Sequence, residues 1–542
     1  MTINLKDKIE NIKNGETLLL GGERYDIYPQ TATSVDRFYP GYGQKRNYSF
    51  VVSDKKDITI DGQGAELIFH GAVSPFNFVN CENITLKNFN IDFAVPGCVC
   101  GKVTEVTDDY FDLDFNDSEF CADVTENGSL KLFDKLGERE NVLRCPIINE
   151  LDGKTFTHMQ NRYFLRVDPW EEGQPLSHMF KRTHFLKIRE NVIRVYAERD
   201  WEKEIKHTVG NYVLFDVSGR NNVNFEFDDC TDLKLSNINM YSSLGLAVIG
   251  VNCKNFYADN VNSMVRENSG RPIAVKDDVF HLVATKGEII IENCLFERMI
   301  DDSVNIHSFY PTVMEVVDSN SVIIEIICPQ NKLLDFYRNG QKLKLLMGDY
   351  TETGKVYTVC DHSYVSDKRI KLVFEEEIEG DITGYYFDDA FDSATFLMRN
   401  CKVINTVGRV VVQTPGKSII ENCYFHTVNA CIITNGRSKI YHESAPVTDL
   451  VIRNNFFDGF GIHPSIATGS TCYNPENKVI YGKITVENNK FSANGENFIL
   501  LKYFDKVVLR NNTFEQNPLY RKRQNKENGG IVTQYCNDVI IE

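Results

Sequence analysis

The ten residues GEIIIENCLF, from Gly287 to Phe296, form a unit that recurs along most of the chain. Each copy alternates apolar residues, then has an asparagine, then an aromatic or apolar residue one or two positions later. The distance between successive copies varies between roughly 22 and 34 residues, which is typical of repeat architectures. The other copies read NITLKNFNI at Asn83, DLKLSNINM at Asp232, NFYADNVNS at Asn255, TFLMRNCKV at Thr395, KSIIENCYF at Lys417, DLVIRNNFF at Asp449, KITVENNKF at Lys483 and KVVLRNNTF at Lys506.

Short alternating strands with asparagine corners predict a parallel β-helix, in which each coil stacks on the previous one at about 4.8 Å. Asparagine suits such corners because it tolerates the left-handed backbone conformation and its amide can hydrogen-bond along the stack. A leucine-rich horseshoe is the main structural alternative. That fold requires an LxxLxLxxN frame, and only fragments of the frame occur in this chain.

Two segments, 97–217 and 309–387, lack the asparagine corner and instead show alternating strands with charged turns. We therefore predict an all-β chain in which a parallel β-helix carries two inserted β-barrel-like domains. The predicted divisions are an N-terminal cap with the first coils over 1–96, an insertion over 97–217, coils with the candidate catalytic residues over 218–308, a second insertion over 309–387, and C-terminal coils over 388–542. The second insertion starts directly after His307, so we expect it to form a wall of any site there.

Composition and charge exclude several classes of partner. The formal charge is −17, and the one basic run, Arg521-Lys522-Arg523, is short, which argues against binding to nucleic acid or to an anionic membrane. The N-terminus lacks the apolar core of a signal peptide, and no apolar stretch is long enough to span a bilayer. As written, the sequence predicts a cytoplasmic protein; a trimmed chain would instead be extracellular or periplasmic. The strand-like end at 537–542 leaves a homo-oligomer open.

Six of the fifteen cysteines occur beside the same repeat position, which predicts an inward-facing column of buried free thiols rather than disulfides. They are Cys81, Cys230, Cys253, Cys294, Cys401 and Cys423. Cys98 and Cys100 form a single CxC motif without a second pair at metal-ligand spacing. No metal site or cofactor is predicted.

Two aspartate pairs, Asp277-Asp278 and Asp301-Asp302, flank the unit Gly287–Phe296 and are 24 residues apart, which is one coil. Carboxylates on neighbouring coils repel each other, which raises at least one pKa, and proteins tolerate this where a protonated acid and an ionised base must coexist. Adjacent strand residues point to opposite faces, so Asp301 and Asp302 share a site only at a bend. The spacing therefore indicates a glycosidase-type carboxylate cluster.

The motifs around these pairs resemble glycoside hydrolase family 110, the exo-acting α-1,3-galactosidases, over about residues 57–514. The resemblance implies a right-handed β-helix with inserted barrels, an inverting reaction without a metal, and removal of terminal α-1,3-linked galactose, as on blood-group-B-type glycans. It also implies that Asp301 is the general acid and that Asp278 and Asp302 activate water. The matching motifs are Ser242–Gly245, Ser269–Arg271, Asp278–His281, Ile291–Asn293, Asp301–His307 and Thr414–Lys417.

An inverting pair of carboxyl groups is expected to be roughly 6.5–9.5 Å apart, and neighbouring carboxylates are expected to keep the proton on Asp301. The candidates for contacts with galactose hydroxyls are Arg271, Asn305, His307, Glu443 and Arg409. This chain departs from the family pattern at Val279-Phe280 and at Ser308, and it lacks the tryptophan expected two residues before Glu443. The sugar contacts are thus less firmly implied than the reaction.

Two alternatives remain open. The run Asp301–Ile306 also resembles that of the polygalacturonases, which are β-helical as well, but the Asn-Thr-Asp and Arg-Ile-Lys motifs of that family are absent from this chain. A noncatalytic β-helical glycan-binding protein is the other alternative, although loss of catalysis would not predict a retained aspartate trio. The carbohydrate substrate expected under the first interpretation carries a terminal α-galactose.

Overall fold

The computed structural model describes residues 2–36, 45–143, 147–167, 180–197, 207–218, 220, 222–325, 337–366, 369–389, 393–438, 441–459, 463–493, 497–516 and 530–542. Within these ranges nearly every regular element is a β-strand. The exceptions are the α-helix Thr2–Glu10 and the short 3-10 helix Pro29–Thr31. The predicted all-β parallel β-helix with two inserted barrels is confirmed.

Two sheets of stacked coils make up the β-helix. In the described part of the chain the larger sheet has 19 strands, paired in parallel. Longer strands such as Glu82–Phe93 continue through a corner. The 19 strands are Thr17–Leu19, Arg24–Ile27, Lys56–Phe69, Glu82–Phe93, Thr231–Met240, Lys254–Ser263, Lys286–Glu292, Leu295–Glu297, Thr395–Arg399, Lys402–Thr406, Ser418–Glu421, Tyr424–Thr427, Asp449–Arg453, Phe456–Phe457, Tyr481–Glu487, Lys490–Ala493, Phe504–Arg510, Thr513–Gln516 and Asp538–Ile541.

The smaller sheet carries the candidate site. Its strands also stack in parallel, except that Thr33–Asp36 and Glu443–Ser444 pair antiparallel with their neighbours. The remaining strands are Lys45–Ser53, Ser74–Val79, Val223–Asp228, Leu246–Val251, Phe280–Val283, Val304–Phe309, Val410–Val412, Ile432–Thr434, Ile466–Thr468, Ile499–Lys502 and Ile531–Gln534. The turns that precede these strands therefore form a continuous edge along the β-helix.

The corner asparagines have the predicted role. Asn88, Asn237 and Asn260 have φ angles of 60°, 52° and 54°, in the left-handed region. The Nδ2 group of Asn237 donates to Oδ1 of Asn88 at 3.1 Å, and that of Asn260 donates to Oδ1 of Asn237 at 2.9 Å. Each asparagine thus both turns the chain and connects one coil to the next.

Apolar side chains stack on one another from coil to coil and form the core. In the C-terminal coils the aromatic residue of one repeat stacks on that of the next, with ring centroids 5.1 Å apart for Phe425 and Phe457 and 4.8 Å apart for Phe457 and Phe491. The six repeat cysteines are buried and free, as predicted. At the N-terminal end, Leu5 and Ile9 of the helix pack into the same core.

Two closed barrels interrupt the β-helix. The first contains Cys98–Val106, Tyr110–Asp114, Ile147–Leu151, His158–Val167, Phe180–Arg189, Val192–Ala197 and Tyr212–Asp216, and it is accompanied by a three-stranded sheet of Phe120–Val124, Leu130–Asp134 and Glu140–Leu143. The second contains Thr312–Asp318, Ser321–Glu325, Lys342–Leu346, Glu352–Tyr364, Arg369–Phe374 and Tyr386–Asp388. In the described residues, no helix has the length and apolar character needed to cross a bilayer.

Candidate active site

The aspartate pairs lie in turns that lead into neighbouring strands of the smaller sheet. Phe280 pairs with Val304 in the parallel register, so Asp278 and Asp302, each two residues before its strand residue, fall one above the other. The backbone N–H of Asp302 donates to Oδ1 of Asp278 at 3.2 Å. Asp301 and Asp302 both lie outside the strand, at the bend that two adjacent residues need in order to face one site.

Two arginines hold the three carboxylates together. Arg220 Nη2 contacts Asp301 Oδ2 at 2.5 Å and Asp278 Oδ1 at 3.4 Å. Arg409 Nε contacts Asp302 Oδ1 at 2.5 Å, and its Nη2 lies 3.7 Å from Asp301 Oδ1. One oxygen from each of Asp278, Asp301 and Asp302 falls within 4.8 Å of the others, and theirs is the one such carboxylate group found in the described chain. The positive charge that faces this cluster comes from the two guanidinium groups.

The expected separation of roughly 6.5–9.5 Å concerns the carboxyl groups of an inverting pair as a whole. In the structure the nearest oxygens of the three carboxylates lie within 4.8 Å of one another. The physical reason is that Arg220 bridges Asp278 to Asp301, and Arg409 bridges Asp301 to Asp302. The carboxylate spacing in this arrangement therefore does not by itself indicate inversion.

The pKa values of the two buried aspartates are raised, whereas the proton expected on Asp301 stays a prediction. Burial, followed by the negative charge of Asp301, raises the pKa of Asp278 well above its usual value. Burial likewise raises the pKa of Asp302 to about 7, although Arg409 opposes the shift. The side chain of Asp301 is 30% exposed and contacts both guanidinium groups, which stabilise a carboxylate. Asp278 and Asp302 are thus two members of the cluster that favour a proton.

A cleft of about 320 Å³ opens over the carboxylates. Its lining includes six of the eight residues predicted for the site, namely Asp278, Asp301, Asp302, Asn305, Arg409 and Glu443. Glu443 accepts a hydrogen bond from Gln413 Nε2 at 2.7 Å, which fixes one of its oxygens, and Oδ1 of Asn305 is buried without a hydrogen-bond partner. Both residues border the space that a sugar would occupy.

The other two predicted residues lie elsewhere. Arg271 donates to Glu119 and Asp92, at 2.7 Å each, beside a separate cavity of about 520 Å³ at the first barrel. Its guanidinium is therefore occupied by carboxylates outside the cleft. His307 is buried behind the cleft, where its side chain is only 1% exposed, and it contacts His281. The structure thus gives neither residue a surface in the cleft.

Sequence reasoning missed several lining residues. Arg220 contacts two of the three aspartates, but it is a single arginine in the loop where the chain returns from the first barrel, and no motif marks it. Val411 and Ile433 lie in strands of the smaller sheet, and the others lie in loops of later coils, at Asn435, Tyr441, Gly469, Ser470 and Thr471. Their only sequence signal is that they follow strands of the smaller sheet, at a variable distance along the chain.

None of the second-barrel residues that the structure describes lines the cleft, contrary to the expectation that the barrel forms a wall. It supports the residues around Glu443 instead. The Ser444 hydroxyl donates to Asp388 at 3.1 Å, and Phe309, at the entry to the barrel, pairs with Glu443 in the short antiparallel ladder. The barrel thereby fixes the strand that presents Glu443 to the carboxylates.

A stacked-coil scaffold with paired carboxylates in a cleft defines a β-helical glycoside hydrolase. Comparison with known proteins is consistent with this class. An α-1,3-galactosidase A of Shewanella woodyi is 30% identical over 463 residues, which cover 82% of this chain and 71% of the relative. An α-1,3-galactosidase B of Bacteroides thetaiotaomicron is 24% identical over 547 residues, or 97% of this chain and 85% of the relative. The chain belongs to glycoside hydrolase family 110, the α-1,3-galactosidases.

No family model matches the sequence. Among solved structures, a family 28 exopolygalacturonase of Yersinia enterocolitica matches with a TM-score of 0.38 and 10% identity, covering 98% of this chain and 74% of that one. An endo-xylogalacturonan hydrolase of Aspergillus tubingensis matches with a TM-score of 0.36 and 8% identity, covering 100% and 96%. These scores are too low to support an argument about function.

Proposed function

We propose that the protein is an exo-acting, inverting α-1,3-galactosidase that removes terminal galactose from oligosaccharides, including blood-group-B-type glycans. The single observation that carries the proposal is the cluster of Asp278, Asp301 and Asp302 held by Arg220 and Arg409 at the floor of the cleft. The names of the relatives support the galactose linkage. The cleft volume of about 320 Å³ is at the small end of ligand sites, which suits one terminal sugar.

The proposed acid is Asp301. It is the most exposed of the three carboxylates and therefore the one best placed to reach a glycosidic oxygen. Asp301 must be protonated when it acts, so a sugar oxygen has to replace at least one of its guanidinium contacts. The same replacement would increase the separation between Asp301 and the buried pair, towards the span that admits a water in an inverting reaction.

The water-activating side of the site comprises Asp278 and Asp302. Both are nearly buried, with side chains 3% and 6% exposed, and both line the cleft. A carboxylate there can accept a proton from a water that attacks the anomeric carbon from the face opposite the leaving group. Asn305 and Glu443 border the same cleft and are proposed to hold galactose hydroxyls.

A substrate panel tests this function. We expect hydrolysis of aryl α-galactosides, of the linear α-1,3-linked disaccharide and of the blood-group-B trisaccharide, with no action on polygalacturonate. Release of galacturonate instead would support the polygalacturonase alternative. Binding of the oligosaccharides without hydrolysis would support a glycan-binding protein. Measuring both turnover and binding on the same panel separates the three possibilities.

A further inference from the structure

A chain of three hydrogen bonds leads from the cluster into the protein interior. Asp278 Oδ2 lies 2.6 Å from His281 Nδ1, His281 Nε2 lies 3.0 Å from His307 Nε2, and His307 Nδ1 lies 2.8 Å from the backbone carbonyl oxygen of Ser308. His281 and His307 are diagonal neighbours on adjacent strands, because His281 pairs with Asn305 in the register. Each contact needs exactly one hydrogen between its two atoms.

The carbonyl at the end fixes the direction of the whole chain. A carbonyl oxygen only accepts, so His307 must carry its hydrogen on Nδ1. A neutral imidazole has one ring hydrogen, so Nε2 of His307 is then an acceptor and His281 must donate from its own Nε2. Nδ1 of His281 is thereby left as an acceptor, and the remaining hydrogen has to come from Asp278 Oδ2.

The neighbours of Asp278 agree with a proton on Oδ2. Its other oxygen, Oδ1, faces two donors, the backbone N–H of Asp302 and the guanidinium of Arg220, and so has no need of a hydrogen of its own. Arg220 and Arg409 supply two positive charges to three carboxylates. When one carboxylate is protonated, two negative charges remain and match the two positive charges. The adjacent Asp277 lies 3.4 Å from both Lys276 and Arg220.

The electrostatic surroundings keep both histidines neutral. Burial lowers the pKa of His281 to about 4; Arg220 lowers it further, whereas Glu443, Asp302 and Asp301 oppose the shift. Burial also lowers the pKa of His307 to about 4, against the influence of Glu443 and Asp389. Burial and Asp301 raise the pKa of Asp278 well above its usual value. Near neutral pH the extra proton therefore resides on Asp278 and not on an imidazole.

We propose that His281 and His307 are positioning residues which, anchored on the Ser308 carbonyl, hold a proton on Asp278 and leave Asp302 as the base that activates water. The assignment of Asp302 as the base rests on the proposed function, whereas the protonation pattern of Asp278, His281 and His307 does not. Asp302 suits the role because its pKa of about 7 lies near neutral pH, where a general base is most effective. Asp278 helps to position Asp302, because Oδ1 of Asp278 accepts a hydrogen bond from the backbone N–H of Asp302.

The protonation pattern can be read without substrate. In protein with 15N-labelled histidine, long-range 1H–15N correlation shows which ring nitrogen carries the hydrogen. We expect hydrogen on Nε2 of His281 and on Nδ1 of His307 near pH 7, with the signals assigned from the variants His281→Gln and His307→Gln. A hydrogen on Nδ1 of His281, alone or as an imidazolium, would overturn the proposal. Because no substrate is present, this result stands even if the proposed galactosidase function fails.

Kinetics tests the assignment of the base. The amide of Asp278→Asn reproduces the hydrogen bonds of a protonated acid, since Oδ1 still accepts and Nδ2 donates to His281. We expect this variant to keep measurable turnover of an aryl α-galactoside and the rise in kcat/KM near pH 7. Asp302→Asn should lose the rise and lower kcat by ~10²–10⁴-fold. A larger loss of kcat in Asp278→Asn than in Asp302→Asn, or equal losses in the two variants, would refute Asp302 as the sole base.

A variant pair tests His307 itself. His307→Phe removes the acceptor for His281 Nε2–H, so His281 can switch its hydrogen to Nδ1 and Asp278 can ionise. We expect the pH profile of kcat/KM to change its midpoint in this variant. In His307→Gln an amide oxygen is again offered to His281, and we expect the wild-type profile to return. An unchanged profile in folded His307→Phe would show that His307 only fills space.

Discussion

The backbone N–H of Asp302 donates to the carboxylate of Asp278 from the next coil, at 3.2 Å. The bond joins residues 24 positions apart that the parallel register places one above the other. It couples the two buried acids, because any change in the charge of Asp278 is felt at the peptide group that positions Asp302. Asp301, although adjacent in sequence, lies on the more exposed side between two arginines.

Asp301→Asn tests the proposed acid. The variant cannot protonate a leaving group, so turnover of the natural disaccharide should fall by ~10²–10⁴-fold. An aryl α-galactoside whose phenolate leaving group needs little protonation should lose much less. Steady-state kcat on both substrates, with Asp449→Asn on a remote coil as the control, measures the difference. Near-normal turnover of the disaccharide would remove Asp301 from the role of acid.

The stereochemical outcome is a separate prediction. If water attacks from the face opposite the leaving group, the first product is β-galactose. Proton NMR of an early reaction mixture distinguishes the two anomers before they interconvert. Initial formation of α-galactose would mean that the reaction retains configuration, which would contradict the proposed inversion.

Stability should depend on pH through Asp302. Its pKa in the folded protein is about 7 against an ordinary 3.8, so between these values the folded state binds more protons than the unfolded state. The contribution of Asp302 is thus fully present below about pH 4 and is lost as pH rises through about 7. The shift of about three units sets an upper limit of roughly 4 kcal/mol. Asp278, whose pKa is also raised, contributes a slope of the same sign.

Melting temperatures of the wild type and of Asp302→Asn, measured from pH 4 to pH 8, check this dependence. The asparagine does not titrate, so we expect the wild type to lose stability relative to the variant as pH rises, with no further change above about pH 8. The Arg409 contact strengthens when Asp302 ionises, so its effect belongs to the same titration and is already part of the pKa of about 7. Parallel curves over the whole range would contradict the raised pKa.

The repeat unit was sufficient to predict the coil stack, because its asparagines fix the corners and its aromatic and cysteine side chains fill the interior. It also predicted that Asp278 and Asp302 meet, since one coil separates them. Arg220 could not be predicted. It is 81 residues from Asp301, and its position depends on where the chain re-enters the β-helix after the first barrel.

Arg271 shows the opposite failure. Its Ser-Gly-Arg motif marks it as a candidate for the sugar site, but motif order does not determine the path of a loop between coils. In the structure that loop lies where the first barrel leaves the β-helix, and the Arg271 guanidinium binds Asp92 of a β-helix strand and Glu119 of the inserted segment. The raised pKa values of Asp278 and Asp302 were missed for a related reason. The sequence shows which carboxylates are close together, but not which of them is buried or which contacts an arginine.

The repeat cysteines give the last prediction. Burial raises the pKa of Cys253 and that of Cys294 well above the usual value of a thiol, and a thiol that is both buried and protonated reacts slowly. The exposed Cys360 in the second barrel serves as an internal control. We expect an alkylating reagent to modify Cys360 quickly in the native protein. The reagent should reach Cys253 and Cys294 only after the protein is unfolded, and no reductant should be needed. Mass spectrometry of the labelled peptides measures each rate. Rapid native labelling of Cys253 would show that the coil interior opens, and a failure to label it after unfolding would show that it is not a free thiol.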